Sequence, residues 1–187
     1  QLGLFHERVL PDLGNNIKCG NSLVSPQDFY GTHQPSLLGE DELYRVNPFD
    51  WKAEFPQVFT GADPGFDVVL GNPPYIRIQT MKEWAPVEVE FYKQRYVTAS
   101  KGNYDIYVVF VERGLELLNS RGLLGYILPH KFFNAQYGEP LRQLIADGRY
   151  LSEVIHFGHQ QVFEQATTYT TLLFLHKGGE ETFRYVQ

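Results

Sequence analysis

Phe66-Asp67-Val68-Val69-Leu70-Gly71-Asn72-Pro73-Pro74-Tyr75 joins a short apolar run to a diproline corner, and the fold can be read outward from it. The run Phe66 to Leu70 has the length and β-branched content of a buried strand. Pro73 has no N–H to give to a ladder, so the strand stops at Asn72. Pro74 restricts Pro73 to extended backbone. The result is a stiff segment just past a strand's carboxyl end, where open α/β sheets bind their ligands. It presents in a row a carboxamide, a backbone carbonyl without a local partner and an aromatic ring. That trio suits a planar molecule carrying an amino group. The Asn72 oxygen and the Pro73 carbonyl can both accept hydrogen bonds from one NH2, and the Tyr75 ring can stack on the flat face beside it. Two acceptors on an aromatic amine draw its protons and hold back delocalisation of its lone pair, so the nitrogen becomes a better nucleophile. The plainer reading of Asn72 to Tyr75 is a rigid turn after a strand.

The rest of the chain alternates strand and helix. Leu2, Phe5, Val9 and Leu13 suggest a helix broken by Pro11, and Asn16 to Leu23 reads as a short strand running into a turn. Cys19 reads as a small buried apolar residue. Asn21 has two readings, a cap or turn residue or a polar contact at a strand's carboxyl end. Ser25 to Leu38 reads as loop. Asn47 to Phe55 reads as a short capped helix with Trp51 and Phe55 on one face, ended by Pro56. Ile76 to Thr80 reads as loop, Met81 to Tyr96 as an irregular helix interrupted at Pro86, and Thr98 to Asn103 as a polar break. Asp105 to Asn119 carries Ile106, Phe110, Leu117 and Leu118 at helical spacing, with Val109 and Gly114 between them. Strands are expected over Leu123–Leu128, Tyr150–Phe157, Tyr169–Leu175 and Thr182–Val186, with a helix over Tyr137–Ile145. This order predicts an α/β fold with a mostly parallel sheet and a final antiparallel hairpin at its edge.

Composition narrows the possibilities. The chain has 187 residues, 43% of them hydrophobic and 20% charged, enough for one domain with a sizeable core. No apolar run reaches the length of a membrane span. The only cysteine is Cys19, which excludes an internal disulfide and makes a cytoplasmic setting the default expectation. A formal charge of −6 argues against this segment gripping nucleic acid unaided. His130, His156 and His159 look scattered, and no metal-ligand spacing is visible. The first residue is not Met, and Met81 is the only Met, so the chain reads as a piece of a longer protein.

Several stretches together resemble one family. Phe49-Asp50-Trp51, Phe55-Pro56, Gly65 to Tyr75, Asp105-Ile106-Tyr107 with Phe110, Gly122 to Pro129, and Val162-Phe163 followed by Thr170-Thr171-Leu172 are similar to restriction-modification adenine methyltransferases. The resemblance implies a Rossmann-like methyltransferase sheet and S-adenosylmethionine as cofactor. It implies methylation of the exocyclic N6 of adenine in double-stranded DNA. By position, Asn72, Pro73 and Pro74 would form the catalytic corner, with Asn72 also near the cofactor. Tyr75 would stack on the base and Phe163 would close over its other face. Asn21 would bond the cofactor's adenine, although family members often have Asp there. Lys131 reads as a solvated Lys or as a DNA phosphate contact. The family's glycine-rich cofactor loop and ribose-binding acidic residue have no counterpart here. Residues 1–187 are thus expected to form the target-base part of a catalytic domain that does not bind S-adenosylmethionine measurably alone. DNA would be held through the full-length protein, with a nuclease and a target-recognition domain fused or associated. Two other readings stay open: an amino-methyltransferase acting on protein glutamine or RNA, and a non-catalytic remnant of the fold.

Overall fold

The computed structural model describes residues 13–32, 40–158 and 169–187. The helix expected before Leu13 and the aromatic Phe163 lie outside them.

A helix forms within Ser25 to Leu38, where the sequence suggested loop, and a second follows in a stretch to which the sequence reading gave no element. Helix α1 spans Pro26–Thr32 and α2 spans Glu40–Val46. The signal for α1 is present but short: Ser25 Oγ accepts the Asp28 N–H at 3.2 Å and Pro26 takes the first helical position. The strand expected over Asn16 to Leu23 does not form; Asn21 makes one isolated bridge to Pro48. Cys19 is exposed rather than buried. Helix α3, Trp51–Glu54, is capped as expected by Asp50, whose carboxylate accepts the Lys52 and Ala53 N–H groups at 3.0 Å each. Pro56 then opens α4, Pro56–Phe59, and the Trp51 and Phe55 rings stack at 5.8 Å.

Strand β1 runs Phe66–Gly71 and delivers the chain to Asn72. Helices α5, Ile78–Trp84, and α6, Pro86–Arg95, split at the proline because Pro86 cannot continue the α5 ladder but suits the first position of α6. Helix α7, Tyr107–Leu117, is buried along most of its length, and β2, Leu118–Pro129, leaves it directly. Helix α8, Glu139–Asp147, and strands β3, Leu151–His156, β4, Thr170–His176, and β5, Arg184–Val186, complete the described elements.

The sheet order is β1-β2-β4-β3-β5. Parallel pairing joins β1 to β2 and β3 to β5, and β4 pairs antiparallel with both β2 and β3. Four strands therefore run one way and β4 alone runs against them, which agrees with a mostly parallel sheet. The expected edge hairpin of β4 with the last strand does not form. Both edges of β4 are already taken, so β5 has no edge of β4 to join. The Glu180 N–H donates to the Arg149 carbonyl at 2.8 Å, which carries the chain past the start of β3 to that strand's free side.

One face of the sheet is well covered. Leu124, Tyr126, Leu128, Val154, Leu173 and Leu175 are buried in the same core as α7. Gly114 lets α7 approach β2: a Cβ there would sit 2.5 Å from Leu124 Cδ1. The other face is different. Val68, Leu70 and Leu123 are 51%, 75% and 47% exposed, so β1 is not the buried strand its composition suggested. Its only described neighbour is β2, and nothing among the described residues covers that apolar face.

A second tight glycine shapes the end of β2. The 3-10 turn His130–Phe133 packs under the turn Gln136–Gly138, where a Cβ on Gly138 would lie 2.1 Å from the Phe132 carbonyl oxygen. Backbone cannot yield as a side-chain tip does. Gly138→Ala is expected to lower stability by about 1–3 kcal/mol, measured as a lower denaturation midpoint.

Candidate active site

The carboxyl ends of β1 and β2 lie side by side because these strands are parallel, with Gly71 opposite Tyr126. The segments that follow them, Asn72–Tyr75 and Pro129–Lys131, therefore meet at one end of the sheet. Asn72 is exposed at the tip, and its carboxamide makes no hydrogen bond among the described residues. Pro73 is buried, and its carbonyl likewise accepts none among them. Two unspent acceptors thus stand on adjacent residues, held by two proline rings.

Tyr75 is half-buried, with its hydroxyl donating to the Ile127 carbonyl at 3.1 Å and its ring edge-on to Tyr107 at 6.4 Å. Burial raises its phenol pKa, so it stays a neutral donor. The chain leaving Tyr75 is clamped by its backbone. The Ile106 N–H donates to the Ile76 carbonyl and the Ile78 N–H to the Tyr104 carbonyl, each at 2.9 Å, with Arg77 and Asp105 as antiparallel bridge partners between them. The start of α7 thereby fixes the direction in which the corner exits.

Tyr75, Arg77, Asp105, Pro129, His130, Lys131 and Tyr169 line a cavity of about 430 Å³. Its size is in the range of small-molecule sites. The Tyr137 hydroxyl donates to Asp105 Oδ2 at 3.0 Å and contacts the Tyr107 hydroxyl at 2.9 Å. With Tyr137 giving its proton to the carboxylate, Tyr107 is the donor of the second bond. Burial, above all, pushes the Tyr137 phenol up to about 12 and raises that of Tyr107 further. The His130 ring stacks on His156 at 4.5 Å and on Tyr169 at 5.9 Å. His156 Nδ1 accepts the Gly158 N–H at 2.9 Å. These two histidines are therefore not scattered: β2 and β3 flank β4 and run the same way, so they finish at the same end of the sheet. They form a stack and not a metal site; no group that could hold a metal ion occurs among the described residues.

A second cavity, about 410 Å³, lies on the other side of the corner and is lined by Asn21, Pro74, Ile106 and Phe110 among others. Pro74 lines this cavity and Tyr75 the first, while Asn72 and Pro73 are in the lining of neither. Asn21 Oδ1 accepts the Leu23 N–H at 3.2 Å, an Asx turn, and its Nδ2 donates to the Tyr92 hydroxyl at 3.4 Å. The turn reading of Asn21 is thus realised, and the same residue also borders the cavity. Phe110, read as a helix-core residue and as part of the stretch that resembles the family, was given no site role from the sequence and shares that cavity. Its apolar walls, the rings of Trp84, Tyr92 and Phe110 and the carboxamides of Asn21 and Asn47 suit a flat, polar-edged ring such as a purine, and the Arg45–Glu88 ion pair also borders it. A larger cavity, about 660 Å³ between Phe132, Ile145 and Leu173, is lined by none of the candidate site residues read from the sequence.

Residues 7–163 match the Eco57I restriction-modification methylase family. The chain is 37% identical over 179 residues to the type II restriction enzyme and methyltransferase RM.Eco57I of Escherichia coli, covering 96% of this chain and 16% of that protein. It is 37% identical over 97 residues to the type II methyltransferase M.PaeR7I of Pseudomonas aeruginosa, covering 52% of this chain and 16% of that one. The chain therefore spans about a sixth of the length of these curated relatives. Among solved structures, a class I S-adenosylmethionine-dependent methyltransferase of Listeria monocytogenes aligns with a TM-score of 0.50 at 15% identity. That alignment covers 69% of this chain and 39% of the other, a likeness of fold.

Proposed function

The chain belongs to the Eco57I restriction-modification methylase family, and on that premise we propose that it is the target-base part of an enzyme that methylates the exocyclic N6 of adenine extruded from duplex DNA. The observation that carries this reading is the pair of uncommitted acceptors, on exposed Asn72 and on the carbonyl of buried Pro73, beside a ring that lines a cavity. S-adenosylmethionine, when bound, supplies a methyl group on a cationic sulfur. Asn21, Pro74 and Phe110 would hold its purine, judged by the chemistry of the second cavity.

Adenine inside a duplex is stacked and must be turned out at a cost of a few kcal/mol. Tyr75 from one side, and Phe163 from the other, would offset part of that by stacking. Asn72 and the Pro73 carbonyl take the two amino hydrogens and keep the nitrogen lone pair out of the ring. No strong base is needed, because the nitrogen becomes acidic once it has gained a fourth substituent and its proton passes to water. The relatives' names leave the methylated atom open, so N6 is part of the proposal. Membership in this family speaks against a protein-glutamine or RNA substrate.

The bare apolar face of β1 and β2 supports reading the chain as part of a larger domain, since sheets with parallel strands are covered on both faces. The isolated chain is then expected to show no binding of S-adenosylmethionine by calorimetry; micromolar binding would contradict a divided cofactor site. The main test is to incubate the full-length protein with duplex DNA and labelled S-adenosylmethionine, then digest to nucleosides. N6-methyladenine is the expected product. Methylcytosine alone would overturn the base assignment, and no labelled DNA at all would overturn the activity.

A further inference from the structure

We propose that Arg77 and Lys131 form an anion clamp at the rim of the 430 Å³ cavity and hold the phosphates that flank the extruded nucleotide. The proposal rests on reading that cavity as the base pocket. What motivates it is that these two cations line this cavity and are unpaired among the described residues; Lys52, Lys82, Lys93, Arg121 and Arg149 also make no side-chain hydrogen bond or ion pair among them but lie outside its lining. Arg45, Arg95, Arg113 and Arg184 pair with carboxylates, and Arg142 donates to the Phe132 and Ala135 carbonyls. The side chains of Arg77 and Lys131 are exposed and make no hydrogen bond or ion pair among the described residues. Yet they line the same cavity, one two residues past Tyr75 and the other two residues past Pro129.

The local geometry keeps Arg77 unneutralised. Asp105 is its directly opposed bridge partner, a position from which carboxylates commonly pair across strands. Here Asp105 Oδ2 takes the Tyr137 hydroxyl, and no ion pair to Arg77 forms within 4.0 Å. Lys131 sits on the 3-10 turn His130–Phe133, which the tight Gly138 contact holds against the end of β2. Lys131 lies two residues past the end of β2 and Arg77 six residues past the end of β1, at the start of α5, so both cations stand on segments that leave the two parallel strands.

A nucleotide that enters base-first leaves its phosphates at the mouth, where these side chains stand. These 187 residues carry a formal charge of −6, so a phosphate contact made by this segment has to come from local cations. Arg offers a fork suited to two phosphate oxygens, and Lys a mobile point charge.

The test uses the full-length enzyme and a short duplex containing the site mapped by the methylation experiment. Binding is followed by fluorescence anisotropy over a range of salt, without cofactor, for wild type, Arg77→Gln, Lys131→Gln and the double variant. Each single variant should weaken binding and reduce the slope of log K against log salt by about 0.9, the value for one lost phosphate contact. A duplex with neutral methylphosphonates flanking the target adenine should weaken wild-type binding and cause no further loss in the double variant. Unchanged slopes, or a full methylphosphonate penalty in the double variant, would overturn the clamp. If wild type methylates the duplex while those results fail, the base-pocket reading stands without the clamp. If wild type methylates no duplex, the base-pocket reading fails and the clamp with it.

Discussion

Asn72→Ala in the full-length enzyme should lower the turnover number on the order of 10²–10³-fold, as removal of one preorganised polar partner does at other reacting centres, while affinity for S-adenosylmethionine changes little. The structure makes the prediction sharp. Asn72 is exposed and its carboxamide supports nothing else among the described residues. Its truncation should therefore leave stability within about 0.5 kcal/mol of wild type, and a fall in rate cannot be blamed on unfolding. Pro73 retains its carbonyl in this variant, so one acceptor survives and some activity should remain. Steady-state and single-turnover rates, read beside a melting curve, decide the matter. Near-normal turnover in Asn72→Ala would remove the mechanism proposed for the corner.

The second large effect is expected at Tyr75, and here two substitutions separate two roles. Tyr75→Ala removes the ring, and with it base stacking of about 1–3 kcal/mol, a loss of roughly 5- to 150-fold in kcat/KM. Tyr75→Phe keeps the ring and removes only the bond to the Ile127 carbonyl, a net loss of about 0.5–1.5 kcal/mol that should appear mainly in stability. The contrast rests on the ring being oriented by Tyr107 on its edge and by β2 at its tip. If Phe and Ala at position 75 slow the reaction equally, the hydroxyl has a chemical role and stacking is not what Tyr75 contributes. If neither slows it, the base is held elsewhere.

Both predictions concern residues whose importance is visible in ten consecutive letters. Other parts of the site are not. Asp105 and Tyr137 are 32 positions apart, and nothing in either segment pairs them, yet their hydrogen bond holds the Asp105 carboxylate that lines the cavity. His130 and His156 looked unrelated until β4 placed the ends of β2 and β3 at one level. Phe110 falls on a helical apolar stripe, and such a stripe alone cannot say which members face a neighbouring cavity. Ser25-Pro26 carried a helix start that the surrounding Gly and Pro residues obscured. Cys19 was assigned to the interior by residue type, although a small apolar residue on a surface segment has no core to enter.

What the sequence by itself determined about this protein is local. Pro73 and Pro74 end a strand because they lack a donor and restrict their neighbour. Pro86 divides a helix for the same reason. The spacing in 105–119 winds one helical face toward a sheet, and alternation of elements requires strands that run mostly one way. These are consequences of backbone geometry over a few residues, so they survive in any context. Only the tertiary structure decided which strand lies beside which. The last strand joins β3 because β4 has no edge left, and β1 stands with an open face because covering it depends on groups distant in the chain. Strand pairing is a competition among edges far apart in sequence, each alike in composition, and its outcome depends on the packing of the assembled sheet. That outcome sets the ends of β1 and β2 side by side, and with them the corner, the cavity and the two cations at its mouth.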